Sequence, residues 1–221
     1  MMVAEEVPAD YLFIGEAIVP PANWASFPPH RHDFDDLPYE VDIEEIYFFH
    51  PYLLGERSPY CDANLRGSFV GATMRHGKPH FVRALLEGVA YSLRDCYRSI
   101  VEMQLPVDEI RLIGGGAKSD LWTQIIGDVF ARPIVRPAGC DASFGAALLA
   151  GVGVGLFADT VAAAEQCIRI HDVVQPQPAA VRVYTKLFPL YCRIHDDLAG
   201  AYAALTKSLN ELHASPETSH A

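Results

Sequence analysis

The stretch EIRLIGGGAKSDLWTQIIGDVFA, residues 109–131, runs from a short apolar segment through three consecutive glycines into a helical pattern. Ser119 stands where an N-cap belongs, with Asp120 in the first turn, and Trp122, Ile125, Ile126 and Val129 recur at the spacing of one buried helix face. A strand that hands over to a helix through bare glycines can offer backbone N–H groups and a helix N-terminus to a phosphate or a flat base. Side chains at those positions would block the approach. Two common phosphate loops do not fit. Lys118 follows Ala117 where the Walker pattern needs glycine, and Ser119 occupies the third glycine position of GxGxxG. Taken alone, the glycines suit equally well a turn that merely needs positive φ.

Outward from this stretch the chain alternates strands and helices. SFVGATM, residues 68–74, suggests a strand, and Pro79 opens a long amphipathic helix whose apolar face holds Val82, Leu85, Leu86, Val89, Leu93, Cys96, Tyr97 and Ile100. PIVRP, residues 133–137, reads as a short strand. ASFGAALLAGVGVGLF, residues 142–157, reads as a tightly packed helix rich in alanine and glycine. After the Pro-containing loop VVQPQPAA a last helix runs to about Leu212, with Tyr184, Leu187, Tyr191, Ile194, Leu198, Leu205 and Leu209 on one side and Pro189 as a kink. The pattern predicts an α/β layered domain over about residues 50–212, followed by a disordered tail over 213–221.

Charge divides the chain. Residues 1–50 carry eleven acidic side chains against Arg31 alone, whereas residues 51–221 carry 17 against 16 bases. A boundary near residue 50 follows, and the first 49 residues, Pro-rich and extended, are too few to bury a core alone. The net charge of −11 argues against nucleic-acid or anionic-membrane partners. No window reaches the about 18 apolar residues of a spanning helix, and the acidic N-terminus is unlike a signal peptide, so a cytosolic location is expected. Five cysteines without a CxxC spacing predict buried free thiols.

The ordered series PYLLGERSPYCDANLRGSFVGATMRHGKPHFVRALLEGVAYSLRD, EIRLIGGGAKSDLWTQIIGDVFARPIVRP and ASFGAALLAGVGVGLF resembles the C-terminal domain of the FGGY carbohydrate kinases, most closely the xylulokinase-like branch. Gly67, Phe69, Gly71, His80, Phe81, Ala84, Leu86 and Glu87 match the family's second signature, while Ala72 and Leu85 depart mildly. The resemblance implies a ribonuclease-H-like fold of the actin/Hsp70/sugar-kinase ATPase class, incomplete here at its N-terminal edge. It implies ATP and Mg²⁺ as cofactors, with Gly115, Gly116, Ala117 and Asp120 beside the adenine and ribose. Gly145 and Ala146 would pack their helix against the sheet. Glu56 and Arg57 in GERSP would either organise the interdomain cleft or form a buried ion pair that ties down a loop. The family's first domain, with its phosphate-binding hairpin, sugar pocket and proton-accepting aspartate, has no counterpart in the sequence, so no catalytic residue is assigned.

Ahead of the charge boundary, His30 and His32 form an H-x-H pair that would point to one face of a strand, with Glu44 and Glu45 following. IGE, PPANWASFPPHRHD and EEIYFF resemble the metal-binding strands of 5-deoxy-glucuronate isomerase, a cupin family of inositol catabolism. By that resemblance His30, His32 and Glu45 would be ligands of a divalent metal. The segment, a short β-rich piece over 1–49, is too small to close a barrel.

Three functions compete. The chain is a truncated carbohydrate kinase, its nucleotide-side half inactive alone and bound to sugar only if the missing domain is supplied. It is instead a metal-binding isomerase fragment, or a non-catalytic binding and assembly module that complements a kinase N-terminal domain or forms a homo-oligomer. In the kinase reading IYFF, residues 46–49, is expected to cap the bare edge of the kinase-like sheet.

Overall fold

The computed structural model describes residues Leu12–Phe13, 48–139 and 142–214. In chain order the elements are β1 (Leu12–Phe13), β2 (Phe48–His50), β3 (Ser68–Val70), α1 (Lys78–Glu102), β4 (Ile110–Arg111), a 3-10 turn (Gly115–Lys118), α2 (Asp120–Phe130), β5 (Ile134–Pro137), α3 (Ala142–Gly153), α4 (Thr160–Cys167), β6 (Ile170–Val174) and α5 (Pro178–Ala214). The mixed α/β character is the one expected. The described residues fall into two compact units, one holding β1 and 104–181, the other 48–103 and 182–214.

The first unit is built on a four-stranded sheet in the order β1-β4-β5-β6. β4 and β5 are parallel, with Ile110 opposite Ile134, which requires a crossover, and α2 supplies it. The helix buries Ile125, Ile126, Val129 and Phe130, and Trp122 is half-buried. β6 returns antiparallel to β5, with Ile134 opposite Val174. Asp128 of α2, itself buried, holds the chain beyond β6: its Oδ1 accepts from the backbone N–H of Gln177 at 2.6 Å and from Gln124 Nε2 at 2.9 Å.

The edge of this sheet differs from expectation. β1 pairs in parallel with β4, Leu12 opposite Ile110, so the capping strand comes from residues 12–13. β2, which holds Phe48 and Phe49 of the stretch placed on that edge from sequence, instead pairs antiparallel with β3 in the second unit, and residues 46–47 lie outside the described residues. Its three residues are all buried there, and Phe48 lies 6.1 Å from the Tyr91 ring, contacts a sheet edge would not provide. α3 also departs from the reading as a tightly packed helix. Gly145 and Ala146 are exposed, and a side chain at Gly145 would meet nothing within 4 Å.

In the second unit β2 lies on α1 where Gly88 leaves room. A Cβ there would stand 2.1 Å from the Phe49 carbonyl oxygen. The buried stripe of α1 is Ala84, Glu87, Gly88, Ala90, Tyr91 and Asp95, not the apolar face expected, of which Leu85 is exposed and Val82, Leu86, Val89 and Leu93 are half-buried. Polar groups occupy this stripe because partners await them. Arg83 Nε donates to Glu87 Oε1 at 2.6 Å and Arg83 Nη2 to the Tyr184 hydroxyl at 2.7 Å, while that hydroxyl donates to Glu87 Oε1 at 2.7 Å. Asp95 accepts from the Tyr60 hydroxyl and pairs with Arg98 at 2.7 Å. α5 buries Tyr184, Phe188, Tyr191 and His195, and Tyr191 stacks on Tyr91 with centroids 5.0 Å apart. The helix runs through Pro189 and ends at Ala214, two residues beyond the expected limit, while Leu205 and Leu209 stay exposed.

The described thiols are less buried than expected, Cys140 lying outside the described residues. Cys61 is exposed, and Cys96, Cys167 and Cys192 are half-buried. Burial pushes the Cys96 thiol up to about 11 and Cys192 up to about 12, which keeps both protonated at neutral pH.

Candidate functional site

β4 and β5 point their carboxyl ends at the same side of the first unit, and the loops that leave them enclose a cleft of about 640 Å³. Crevices at the carboxyl ends of parallel strands are the usual ligand sites of open α/β sheets. One wall is the glycine loop. Gly114 turns the chain at φ +87°, a conformation that suits glycine, and the 3-10 turn follows, closed by Ala117 N–H to Gly114 O at 3.2 Å. Ser119 then caps α2, its Oγ accepting from the Trp122 N–H at 3.2 Å, and such a cap is worth about 1 kcal/mol. The opposite wall is Pro137 at the end of β5 with Ala138 and Gly139 after it, and His171 of β6 beside them.

Gly115, Ala117 and Asp120, assigned from sequence, line this cleft together with Ile113, Gly114 and Lys118. Gly116 does not line it. Its space is taken by the Trp122 indole, since a Cβ on Gly116 would stand 1.7 Å from Trp122 Cζ3. Gly116 is thus the seat of a tryptophan that stiffens the loop from behind. His30, His32 and Glu45 lie outside the described residues.

Sequence reasoning missed the charged floor. Arg136, buried although it sits in the apolar strand PIVRP, reaches three elements. Its Nη1 donates to Asp120 Oδ1 at 2.6 Å and to the Ala117 carbonyl at 3.2 Å. Its Nε donates to Asp172 Oδ1 at 2.6 Å, and Nη2 bonds Asp172 Oδ2. The bidentate pair is the geometry that best suits a guanidinium. Hydrogen bonding to Arg136 lowers the Asp172 carboxyl below its ordinary range, and the same bonds raise the guanidinium further. An arginine inside a four-residue apolar strand was the available signal, because a buried guanidinium demands partners.

Elsewhere the features are structural. Glu56 accepts from the backbone N–H groups of Tyr60 at 2.9 Å and Cys61 at 3.3 Å, and Arg57 is exposed, so the loop is tied by a carboxylate on amides and not by an ion pair. A more open groove of about 430 Å³ beside Asn64, Ala203 and Thr206 offers little beyond the flank of an exposed helix. Among the described residues no three histidine, cysteine or acidic side chains group to hold a metal ion. The polar groups around the cleft are backbone amides, the Asp120 carboxylate and the Lys118 ammonium. Among the described residues no helix is long and apolar enough to cross a membrane.

This fold is that of sugar kinases of the actin/Hsp70-like ATPase class. The ligand-bound xylulose kinase from Lactobacillus acidophilus superposes with a TM-score of 0.65 at 38% identity, over 72% of this chain and 32% of that one. The Plasmodium falciparum glycerol kinase with ADP superposes at 0.55 and 25% identity, over 68% and 30%. The chain belongs to the FGGY family of carbohydrate kinases, whose C-terminal domain matches residues 32–154. Xylulose kinase of Bacillus subtilis is 38% identical over 66% of the chain, and gluconokinase of Bacillus licheniformis 36% over 71%. The chain spans 29% and 31% of the length of these two relatives. Residues 1–52 match a second family, KduI/IolB.

Proposed function

We propose that the cleft between the glycine loop and β5 binds the adenine and ribose of ATP, as the nucleotide-side part of an ATP-dependent sugar kinase. The observation that carries this is the position of Gly115, Ala117 and Asp120 in one cleft at the carboxyl ends of β4 and β5. The P. falciparum relative solved with ADP is consistent with it. In a complete kinase the γ-phosphoryl would pass to a sugar hydroxyl, with Mg²⁺ supplying charge neutralisation when bound. The residues here would orient the nucleoside. Exposed Lys118 and Asp120 would frame its polar edge, and the 3-10 turn would present backbone to the flat base.

Alone, this polypeptide does not turn over. Phosphoryl transfer depends on positioned phosphate-binding groups and a base for the sugar hydroxyl, and the described cleft supplies only nucleoside-side groups. Calorimetric titration with ATP, ADP and adenosine is the test, beside an ADP-release assay with xylulose, gluconate and glycerol. Binding of all three nucleotides and nucleosides with no sugar-dependent ADP release is the expected result. Release clearly above a Gly116→Arg control overturns the inactivity, and absence of any binding overturns the site. A second polypeptide that supplies the remaining kinase groups would be detected by co-purification, and self-association by sedimentation.

The match of residues 1–52 to KduI/IolB favours a second reading, a divalent metal held by His30, His32 and Glu45. Metal analysis after exhaustive dialysis checks it. Metal retained by the native protein and lost in His30→Ala supports the site, and metal absent from both removes it.

A further inference from the structure

We propose that Arg136 is the positioning residue of the cleft, aiming the Asp120 carboxylate at the hydroxyls of a bound ribose and so making the site selective for ribonucleosides. The inference rests on the nucleoside reading given above. It starts from an asymmetry in the arginine's partners. One side of the guanidinium is spent on Asp172 of β6, Nε to Oδ1 at 2.6 Å and Nη2 to Oδ2, which locks the plane of the fork. On the other side Nη1 is shared between the Ala117 carbonyl at 3.2 Å and Asp120 Oδ1 at 2.6 Å. Arg136 is buried, with its side chain 10% exposed, while that of Asp120 is 89% exposed.

The direction of control follows from that difference. An exposed carboxylate on the first turn of a helix ordinarily samples several rotamers, and it gains one orientation only from a fixed partner. Arg136 is fixed because Asp172 and the antiparallel pairing of Arg136 with Asp172 across β5 and β6 hold it from behind. With Oδ1 committed to Arg136, Oδ2 stays open to the cleft mouth as a charged acceptor for hydroxyl donors. Vicinal hydroxyls on a five-membered ring are the donors that a nucleoside brings. The bond to Ala117 O also ties the 3-10 turn to the same guanidinium, so loop closure and carboxylate aim share one anchor.

Adenosine and 2′,3′-dideoxyadenosine, which differ only in the two hydroxyls, test this by calorimetry on the full chain. The native protein is expected to prefer adenosine by about tenfold or more, the size of a hydrogen bond to a charged group. Arg136→Met and Asp120→Ala should each bring that preference close to one, and the double variant should lose no more than either alone, because both remove the same contact. Asp120→Ala leaves Arg136 paired with Asp172, so its thermal midpoint should stay close to native, which separates lost aim from lost fold. Arg136→Lys, which keeps the charge without the fork, should fall between. A preference that survives in Arg136→Met, or additive losses in the double variant, overturns the positioning role while leaving the nucleoside site standing. Binding of neither nucleoside by the native protein overturns the site itself and the role with it.

Discussion

Gly116 and Trp122 show how a residue can look like a ligand contact and serve instead as a seat. The glycine leaves a space that the indole fills, and Gly116→Ala would drive a methyl to 1.7 Å from the ring. The ring must swing away, so a loss of about 1–3 kcal/mol from overpacking is expected, read from the urea midpoint together with a red shift of tryptophan emission. His50 is a second residue whose surroundings decide its behaviour. It is buried, its Nε2 donates to the Tyr191 carbonyl at 3.1 Å, and burial lowers its pKa below the ordinary 6.5. The folded protein therefore favours neutral imidazole, whereas the unfolded chain takes a proton as pH falls through 6.5. Stability from this group is complete above that value and declines below it, levelling off once the folded form also protonates. Unfolding midpoints at pH 8, 7, 6 and 5 should fall over the last two steps, and His50→Gln should flatten that part of the curve.

At the scale of elements, an ion pair within α1, Arg83 with Glu87, is joined to α5 through the Tyr184 phenol. Glu87→Ala would strand Arg83, whose side chain is only 11% exposed, and a loss of about 3–5 kcal/mol is expected by chemical denaturation. Glu87→Gln, which keeps an acceptor for the Tyr184 hydroxyl, should lose less. The same helix shows where sequence patterns stop informing. β4, α2 and β5 were legible because Ser119, the glycines and the Ile125–Ile126–Val129 spacing are local signals. The buried face of α1 was not, because Glu87 and Asp95 are buried by partners distant in sequence, Tyr184 at 97 positions and Tyr60 at 35. α4 was passed over although Asp159 caps it, accepting from the Ala162 N–H at 2.8 Å, since alanines give no apolar period. In the cleft, Gly115, Ala117 and Asp120 were found through the loop, while Arg136 and His171 arrive from strands that no local pattern joins to it.

At the scale of the whole molecule, two ancestries meet in one chain, a stretch matching KduI/IolB over 1–52 and one matching an FGGY kinase over 32–154. Their overlap means that neither match marks a clean place to divide the protein. The residues paired with β4 come from the first stretch, so the sheet of the kinase-like part is finished by residues 12–13. Cutting the chain at the kinase match removes them and bares the N–H and C=O row of β4, a template for pairing with another copy. A shortened protein lacking residues 1–31 should therefore form concentration-dependent aggregates in light scattering under conditions where the full chain does not. Equal behaviour of the two would show that β1 adds nothing to the sheet. On that expectation residues 12–13 act as the hem of the sheet, sparing β4 an open edge.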